Sequence, residues 1–208
     1  ALAVVGAGAI LVAMGQDSEP VEVGPVPVNV AAFPGYVLGS DSAPVEIVEY
    51  ADFGCAACAY FAVLTGPDIK ERLVNTGRVR WRFRDFIGPS HPNSLDAHLA
   101  AGCAGEQGQF WSMHDQIMFN QQRWSRESRP ARALRDYARA IGLDMGRYDA
   151  CVESQHLVAR FEAVKQEGRA IGLAATPSFV IDGMLYTGAI PYDSLVVLVE
   201  RAEAARNQ

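Results

Sequence analysis

Two cysteines stand three positions apart in the segment Cys55-Ala56-Ala57-Cys58. The residues before them favour a strand and the spacing after them favours a helix, so Cys55 is predicted at a helix start. There, unpaired backbone N–H groups and the helix dipole lower the pKa of a thiol. A thiolate of low pKa is also a good leaving group, which favours thiol–disulfide exchange. The spacing therefore predicts Cys55 as the exposed attacking sulfur and Cys58 as the resolving one.

Two other interpretations of this cysteine pair remain open, half of a zinc site and an inert structural disulfide. Zinc needs two further ligands at suitable spacing, whereas Cys103 and Cys151 are single and lie within helical patterns. The four histidines are scattered without a metal-ligand spacing: His91, His98, His114 and His156. We therefore predict no metal site, and we expect His98 and His114 to be packing or hydrogen-bonding residues.

Glu49 is a third candidate for chemistry, six residues before Cys55. It shares a strand face with Val45 and Ile47, and burial on that apolar row would raise its pKa. We hypothesise that Glu49 accepts and returns the proton of Cys58 during exchange. The alternative is a carboxylate paired with a nearby lysine or arginine.

The elements that must position these residues begin with two strands and a helix. Residues 45–50 are rich in β-forming residues, and residues 79–84 alternate between apolar side chains and arginines. The arginines are expected to form a solvated or ion-paired face. Between the two strands, residues 55–73 have a helical pattern that Gly66-Pro67 should kink. The usual crossover rule makes this β-α-β unit a parallel pair of strands.

The second half of the chain is first helical and then returns to strands. Residues 91–174 contain several amphipathic helical patterns and no strand-like run. Asp182-Gly183 separates the apolar runs 178–182 and 184–187, a strong hairpin signal, and a last helix is predicted over 192–205. The fold class is therefore α/β, with the order β-α-β, a helical insertion, and then β-β-α around a mixed sheet.

The first 34 residues differ from this pattern. Residues 1–15 are almost entirely apolar but too short to span a bilayer, so we interpret them as a truncated transmembrane anchor or the apolar part of a signal segment. Residues 16–34 contain four prolines and are predicted to form an extended linker. Residues 35–208 are then the globular domain.

Composition excludes several other classes of protein. The chain has 208 residues, half of them hydrophobic, and 18 basic against 24 acidic residues give a net charge of −6. This acidic balance argues against nucleic acid as a partner. No long apolar stripe is left over after the core is assigned, so homo-oligomerisation is not predicted.

Several segments together resemble one known family. Residues 39–58, His91-Pro92, residues 103–111 and residues 175–183 are similar to the corresponding segments of the DsbA-like thiol-disulfide oxidoreductases. The resemblance covers residues 36–205. It implies a thioredoxin-like fold in which residues 91–174 are the inserted helical domain. It also implies thiol–disulfide exchange on the thiols and disulfides of protein substrates, without a cofactor.

The resemblance assigns roles to Thr176 and Pro177. It implies that Pro177 is a cis-proline facing the cysteine pair, although most X-Pro bonds in folded proteins are trans. It also implies that the backbone of Thr176 pairs with an extended substrate peptide, as an added β-strand would.

Cys103 and Cys151 are the remaining cysteines. Four cysteines permit three pairings, and only Cys55 with Cys58 and Cys103 with Cys151 leaves the short pair free to cycle. We therefore expect a structural disulfide between Cys103 and Cys151, with two buried free thiols as the alternative. The even cysteine count, the anchor and the linker favour an extracytoplasmic, periplasmic location with tethering to the membrane.

The two residues between Cys55 and Cys58 differ from those found in many members of this family. Ala56 replaces a frequent proline, and Ala57 a frequent histidine or tyrosine. We expect a less oxidising couple than DsbA itself, with the oxidase direction favoured over the reductase one. A membrane redox partner or a membrane complex is a further expectation. The alternative function is a weakly redox-active or non-catalytic thioredoxin-fold subunit of a larger membrane assembly.

Overall fold

A computed structural model describes residues 21–25 and 33–206 of the chain. A six-stranded sheet forms the centre of these residues, with the strand order β1-β6-β5-β3-β4-β2. Its strands are β1 Val21–Pro25, β2 Tyr36–Leu38, β3 Val45–Ala51, β4 Val79–Asp85, β5 Ser178–Ile181 and β6 Met184–Thr187. β3 and β4 are parallel, and every other neighbouring pair is antiparallel.

Helices connect and cover the strands. Those of the described residues are α1 Ala56–Leu64, α2 Gly66–Asp68, α3 Ser94–Gly105, α4 Phe110–Phe119, α5 Gln121–Trp124, α6 Pro130–Ala140, α7 Met145–Ser154, α8 Val158–Ala170 and α9 Tyr192–Arg206, and a π-helical segment spans Ile69–Val74. The order β-α-β, helical insertion, β-β-α is therefore confirmed. The mixed α/β sheet is confirmed with it.

The crossover from β3 to β4 changes direction where the sequence predicts it. α1 ends at Leu64, and α2 begins at Gly66 with Pro67 in its first turn. Proline is tolerated there because the first N–H groups of a helix lack an intrahelical partner. The kink ends α1 after nine residues.

The hairpin between β5 and β6 also follows its sequence signal. Asp182 and Gly183 both have positive φ values, 50° and 78°. Such a turn matches the twist of the two strands and favours Asp-Gly. The hairpin places β5 beside β3, with Phe179 opposite Glu49.

The helical insertion runs from α3 to α8 between β4 and β5. Its apolar side chains form a cluster with the residues around the cysteine pair, among them Phe53, Phe83, Phe110 and Met113. A disulfide joins Cys103 in α3 to Cys151 in α7. This bond closes a loop of 48 residues, which in the chain-entropy model stabilises the fold by about 4 kcal/mol. The insertion is thus packed onto the site and cross-linked within itself.

Two strands, β1 and β2, differ from what the sequence pattern predicts. β2 was not predicted, because three residues are too few for a periodic signal. Val21–Pro25 fall within the expected linker but pair with β6 as an edge strand. Proline is compatible with an edge strand because one of its sides needs no ladder hydrogen bond.

The predicted anchor, residues 1–15, and most of the predicted linker lie outside the described residues. Among the residues that are described, no helix combines the length and the hydropathy needed to cross a bilayer.

The β4 arginines are ion-paired, and two of them are also buried. Arg84 is fully buried and pairs with Glu167 of α8 at 2.5 Å. Arg82 pairs with Glu46 of the neighbouring strand at 2.6 Å. Of the two expected alternatives, solvated or ion-paired, the ion-paired one is confirmed. Arg82 and Arg84 are also buried, because α8 and the segment before β2 cover this face of the sheet.

Candidate active site

Cys55 and Cys58 lie at the start of α1, in two different environments. Cys55 is the N-cap residue, with an extended backbone at φ −78° and ψ 122°. Cys55 has 9% of its surface exposed to solvent, whereas Cys58, one turn into the helix, is fully buried. Both are free thiols in this structure. Only Cys55 is therefore accessible to a second thiol or disulfide.

The Cys55 thiol has a pKa lowered to about 5. The largest cause is a hydrogen bond from the Cys58 thiol, which outweighs the opposing effect of burial. A hydrogen bond with Thr176 and the backbone N–H groups of Cys58 and Ala57 lower the pKa further. These N–H groups are the unpaired donors of the first helical turn. Cys55 is therefore a thiolate at neutral pH.

The Cys58 thiol has the opposite perturbation, with a pKa well above its ordinary value. Burial is the largest cause, followed by the hydrogen bond to Cys55 and the negative charges of Cys55 and Glu49. The backbone N–H of Asp52, 3.5 Å from Cys58 Sγ, offsets part of this effect. The two sulfurs are thus distinct, one ionised and one protonated at neutral pH.

Glu49 is fully buried on β3, between Phe83 of β4 and Phe179 of β5 in the sheet register. Burial raises the pKa of its carboxyl group to about 8, although the hydrogen bond from Trp81 and the charge of Lys70 oppose the shift. Trp81 Nε1 donates to Oε2 at 2.9 Å, and Oε1 has no hydrogen-bond partner in the described structure. No lysine or arginine of the described chain forms a salt bridge with Glu49. The carboxyl group is therefore protonated at neutral pH and has one oxygen available.

The loop before β5 faces Cys55, the more accessible of the two cysteines. The Thr176-Pro177 peptide bond is cis, and the Thr176 carbonyl oxygen lies 3.2 Å from Cys55 Sγ, where it accepts a hydrogen bond from the protonated form of the thiol. Ser178 Oγ donates to the Ala175 carbonyl oxygen at 2.8 Å and holds the ends of the loop together. The site thus brings together the residues selected from sequence as reacting or substrate-binding: Cys55, Cys58, Glu49, Thr176 and Pro177. Cys103 and Cys151 lie apart from it, in the inserted helices.

Sequence reasoning missed Asp52, whose buried carboxylate organises the loop before Cys55. Oδ1 accepts hydrogen bonds from the backbone N–H of Gly54 at 2.8 Å and from the Ser94 hydroxyl. Oδ2 accepts from the backbone N–H of Gly88 at 2.6 Å and lies 2.8 Å from His91 Nδ1. The Asp52 carboxylate therefore ties the active-site loop to the segment after β4 and to the first turn of α3.

His98 of α3 lies between two buried carboxylates. Its Nδ1 is 2.6 Å from Asp85 Oδ1, and its Nε2 is 3.5 Å from Asp52 Oδ1. Burial alone would lower the pKa of His98, but hydrogen bonds and charges from Asp52 and Asp85 raise it to about 9. The same pairing holds the pKa of Asp52 below its ordinary value against the effect of burial. His98 thus has the hydrogen-bonding role that was expected of it, and it neutralises charge beneath the active-site loop.

One sequence signal for Asp52 was available. An acidic residue directly after a buried strand, two residues before a glycine, is typical of a side chain that caps its own turn. Its partners were not readable from sequence, since Gly88, Ser94 and His98 lie 36 to 46 residues away along the chain.

The low pKa of Cys55 can be measured directly. In the dithiol form, the ultraviolet absorbance of the thiolate should titrate with a midpoint near pH 5, since the pKa of Cys55 is about 5. Cys58→Ala should raise this midpoint, because it removes the strongest hydrogen bond to the thiolate. Cys55→Ser, the control, should abolish the acidic midpoint. A midpoint close to that of an ordinary cysteine would contradict the assignment.

Glu49→Gln should change how stability depends on pH. The pKa of Glu49 rises from about 4.5 to about 8 on folding, so between these values the folded state holds a proton that the unfolded state has lost. Stability of the wild type therefore decreases as pH rises through this range, and the glutamine variant lacks this loss. The stability advantage of Glu49→Gln should grow by up to about 5 kcal/mol across the range. Urea unfolding of the wild type and the variant, both in the dithiol form, measures the free energy of unfolding at the two ends of this pH range. A difference between the two proteins that does not change with pH would show that Glu49 ionises normally.

Comparison with known sequences places the chain in a family. The model of the family described as Thioredoxin matches residues 32–201. A Rickettsia felis protein named as a protein-disulfide oxidoreductase is 29% identical over 203 residues, which cover 93% of this chain and 71% of that protein. The Rickettsia conorii relative is 28% identical over 181 residues, and the match spans 63% of its length. The match to the Na(+)/H(+) antiporter NhaA 3 of Salinispora tropica, 33% identical, covers 82% of this chain but only 25% of the antiporter.

Solved structures agree on the fold. Oxidised BdbD from Bacillus subtilis superposes with a TM-score of 0.76 at 21% identity, covering 89% of this chain and 99% of that one. Wolbachia pipientis α-DsbA1 gives a TM-score of 0.75 at 19% identity, covering 86% of this chain and 94% of that one. At such identities the likeness concerns the fold. The family-model match shows that this chain belongs to the thioredoxin family, and the superpositions show that it has the fold of BdbD and of the DsbA proteins.

Proposed function

We propose that the chain catalyses thiol–disulfide exchange on protein substrates outside the cytoplasm, through Cys55 and Cys58, with oxidation of substrates as the favoured direction. The observation that carries this proposal is the opposite perturbation of the two thiols, a pKa of about 5 for Cys55 and one well above the ordinary value for Cys58. An inert disulfide needs no such difference. An exchanging pair does, because one sulfur must leave readily and the other must resolve the intermediate.

In the oxidase direction, a substrate thiolate attacks Cys55 Sγ of the Cys55–Cys58 disulfide. The bond between the two sulfurs breaks, a mixed disulfide forms with Cys55, and Cys58 leaves as a thiolate. A second substrate thiolate then attacks the substrate sulfur of the mixed disulfide and releases Cys55. The substrate has lost two electrons and gained a disulfide, and the cysteine pair has gained two electrons. The reductase direction reverses each step.

Glu49 is the group proposed to supply and recover the proton of Cys58. At neutral pH its carboxyl group is protonated, since its pKa is about 8. It is close enough to Cys58 that its ionised form raises the pKa of the Cys58 thiol. A newly released Cys58 thiolate is unstable in its buried position and takes this proton. In the reverse direction the Glu49 carboxylate removes the proton when Cys58 attacks the mixed disulfide.

Thr176 and Pro177 are proposed to bind the substrate backbone next to the reacting sulfurs. The Thr176 carbonyl oxygen is within 3.2 Å of Cys55 Sγ, and the cis bond to Pro177 precedes β5 directly. An extended substrate segment that paired with the Thr176 backbone would bring its own cysteine to Cys55.

The preference for oxidation follows from the same pKa. A Cys55 thiolate stabilised by Cys58 and by the helix start makes the dithiol form more stable, which raises the oxidising strength of the disulfide form. Ala56 and Ala57 contribute no side-chain donor to this thiolate, so the couple is proposed to be less oxidising than that of DsbA.

The proposal also includes a cellular location and a partner that recycles the cysteine pair. The Cys103–Cys151 disulfide is of the kind that persists in oxidising compartments, and it supports a periplasmic location. Tethering through the N-terminal segment and recycling by a membrane redox partner are proposed with it.

A glutathione redox titration, with alkylation and mass spectrometry of each cysteine, tests the function. We expect exchange at Cys55 and Cys58, while Cys103 and Cys151 remain joined throughout. The midpoint gives the reduction potential of the cysteine pair, which shows whether the chain donates or accepts disulfides. We expect a potential between those of thioredoxin and DsbA, about −270 and −120 mV. If Cys55 and Cys58 failed to exchange, catalysis would be rejected in favour of a non-catalytic subunit of a membrane assembly.

The proton-transfer role of Glu49 has its own kinetic test. Glu49→Gln should slow the resolution of the mixed disulfide by Cys58, because no carboxylate remains to remove the Cys58 proton. The wild-type rate should rise with pH through the pKa of Glu49, about 8, whereas the variant should lack this inflection. Stopped-flow exchange with a cysteine peptide across pH gives both profiles. Identical profiles would reject the role.

A further inference from the structure

A groove of about 750 Å³ opens beside the cysteine pair, between α1 and the α4–α5 region of the helical insertion. Gly54 and Ala56, the residues that flank Cys55 in the chain, both line it. The groove is therefore adjacent to Cys55 in the chain, yet none of the residues assigned a role in the reaction lines it.

The groove contains most of the exposed large apolar side chains of the described structure. Seven such side chains are exposed, and four of them line the groove: Tyr60, Val63, Leu64 and Phe119. Tyr60 is 62% and Phe119 76% exposed, unusual values for aromatic residues without a partner. Four exposed apolar side chains grouped along one groove, rather than scattered singly, offer a contact surface for a partner.

The charged residues that line the groove are both arginines, Arg123 and Arg126. Arg123 lies 3.9 Å from Glu127, with its side chain 73% exposed, and Arg126 makes no ion pair within the described part of the chain. The protein as a whole has a net charge of −6, so this basic edge contrasts with an acidic molecule. Its charge complements carboxylates on a bound partner.

A hydrogen-bonded side chain connects the groove to the reacting cysteine. Gln121, which lines the groove at the start of α5, donates through Nε2 to the carbonyl oxygens of Phe53 at 2.8 Å and Cys55 at 2.7 Å. The wall that carries Arg123 is therefore fixed relative to Cys55. Thr176 lies against Cys55 Sγ from another element, the loop before β5.

We propose that this groove binds the stretch of substrate polypeptide next to the reacting cysteine, and that it selects stretches that combine aromatic or aliphatic side chains with carboxylates. The proposal rests on the proposed function and names a substrate class for it. Apolar side chains of the substrate pack on Tyr60, Leu64 and Phe119, and its carboxylates pair with Arg123 and Arg126. An unfolded segment offers both kinds of side chain at once, whereas a folded domain buries the first.

The test uses two cysteine peptides that differ only in carrying glutamate or glutamine beside the same aromatic residues. With the full chain in its disulfide form, kcat/KM for the glutamate peptide should exceed that for the glutamine peptide by about tenfold at low salt. The double variant Arg123→Gln/Arg126→Gln should abolish this preference. The control variant Arg129→Gln/Arg132→Gln removes the same charge from exposed positions outside the groove. It should retain the preference for the glutamate peptide.

A second pair of measurements separates the groove from the chemistry. Tyr60→Ser/Phe119→Ser should raise KM for both peptides, while exchange with glutathione, which is too small to span the groove, stays as in the wild type.

Two results would overturn the proposal if exchange with glutathione is normal. One is equal rates for the two peptides with the wild type, and the other is a preference that survives in Arg123→Gln/Arg126→Gln. A wild type without glutathione exchange would instead overturn the proposed function itself. Dimerisation abolished by the arginine substitutions would identify a second copy of the chain as the occupant and would likewise overturn the proposal.

Discussion

A single hydrogen bond between two sulfur atoms determines most of the chemistry at this site. The Cys58 thiol donates to Cys55, and this contact is the largest cause of the low pKa of Cys55 and a major cause of the high pKa of Cys58. It requires one sulfur at the helix cap, where N–H groups are unpaired, and the other one turn deeper, where water is excluded. A parallel β-α-β crossover provides both positions, because the strand delivers the chain to a helix start packed against the sheet. Glu49 on β3 is close enough to raise the pKa of Cys58, and within the described residues it forms no salt bridge.

The helical insertion contributes electrostatics as well as packing. His98 of α3 balances the buried charges of Asp52 and Asp85, and Asp52 in turn orders the turn that ends at Cys55. An unpaired carboxylate at this depth would cost several kcal/mol, so the loop geometry and the docking of α3 depend on each other. The insertion is thus part of the active-site framework, and its own disulfide between α3 and α7 stabilises the helix that carries His98.

The sequence predicted what depends on local spacing and missed what depends on distant contacts. The cysteine pair at a helix start, the buried position of Glu49 and the Asp182-Gly183 hairpin follow from periods of two and 3.6 residues, and the structure has all three. The Asp52 network joins residues as far apart as Asp52 and His98, 46 positions in the chain, and no periodicity encodes it. The burial of Arg84 depends in the same way on Glu167, 83 positions away. For Thr176-Pro177, local energetics favour trans, and only resemblance to a family implied the cis bond that the structure has.

Cys55 lies between the thioredoxin part of the molecule and the helical insertion, and it contacts both. Its sulfur contacts the Thr176 carbonyl oxygen on the thioredoxin side, and its own carbonyl oxygen is held by Gln121 on the insertion side. A substrate chain crossing Cys55 would therefore meet backbone hydrogen-bonding groups at Thr176 and side-chain surface in the groove. Backbone pairing is independent of sequence, whereas apolar and charged contacts are not. Under the proposed function, the thioredoxin core would supply the chemistry common to all substrates, and the groove on the insertion would distinguish among them.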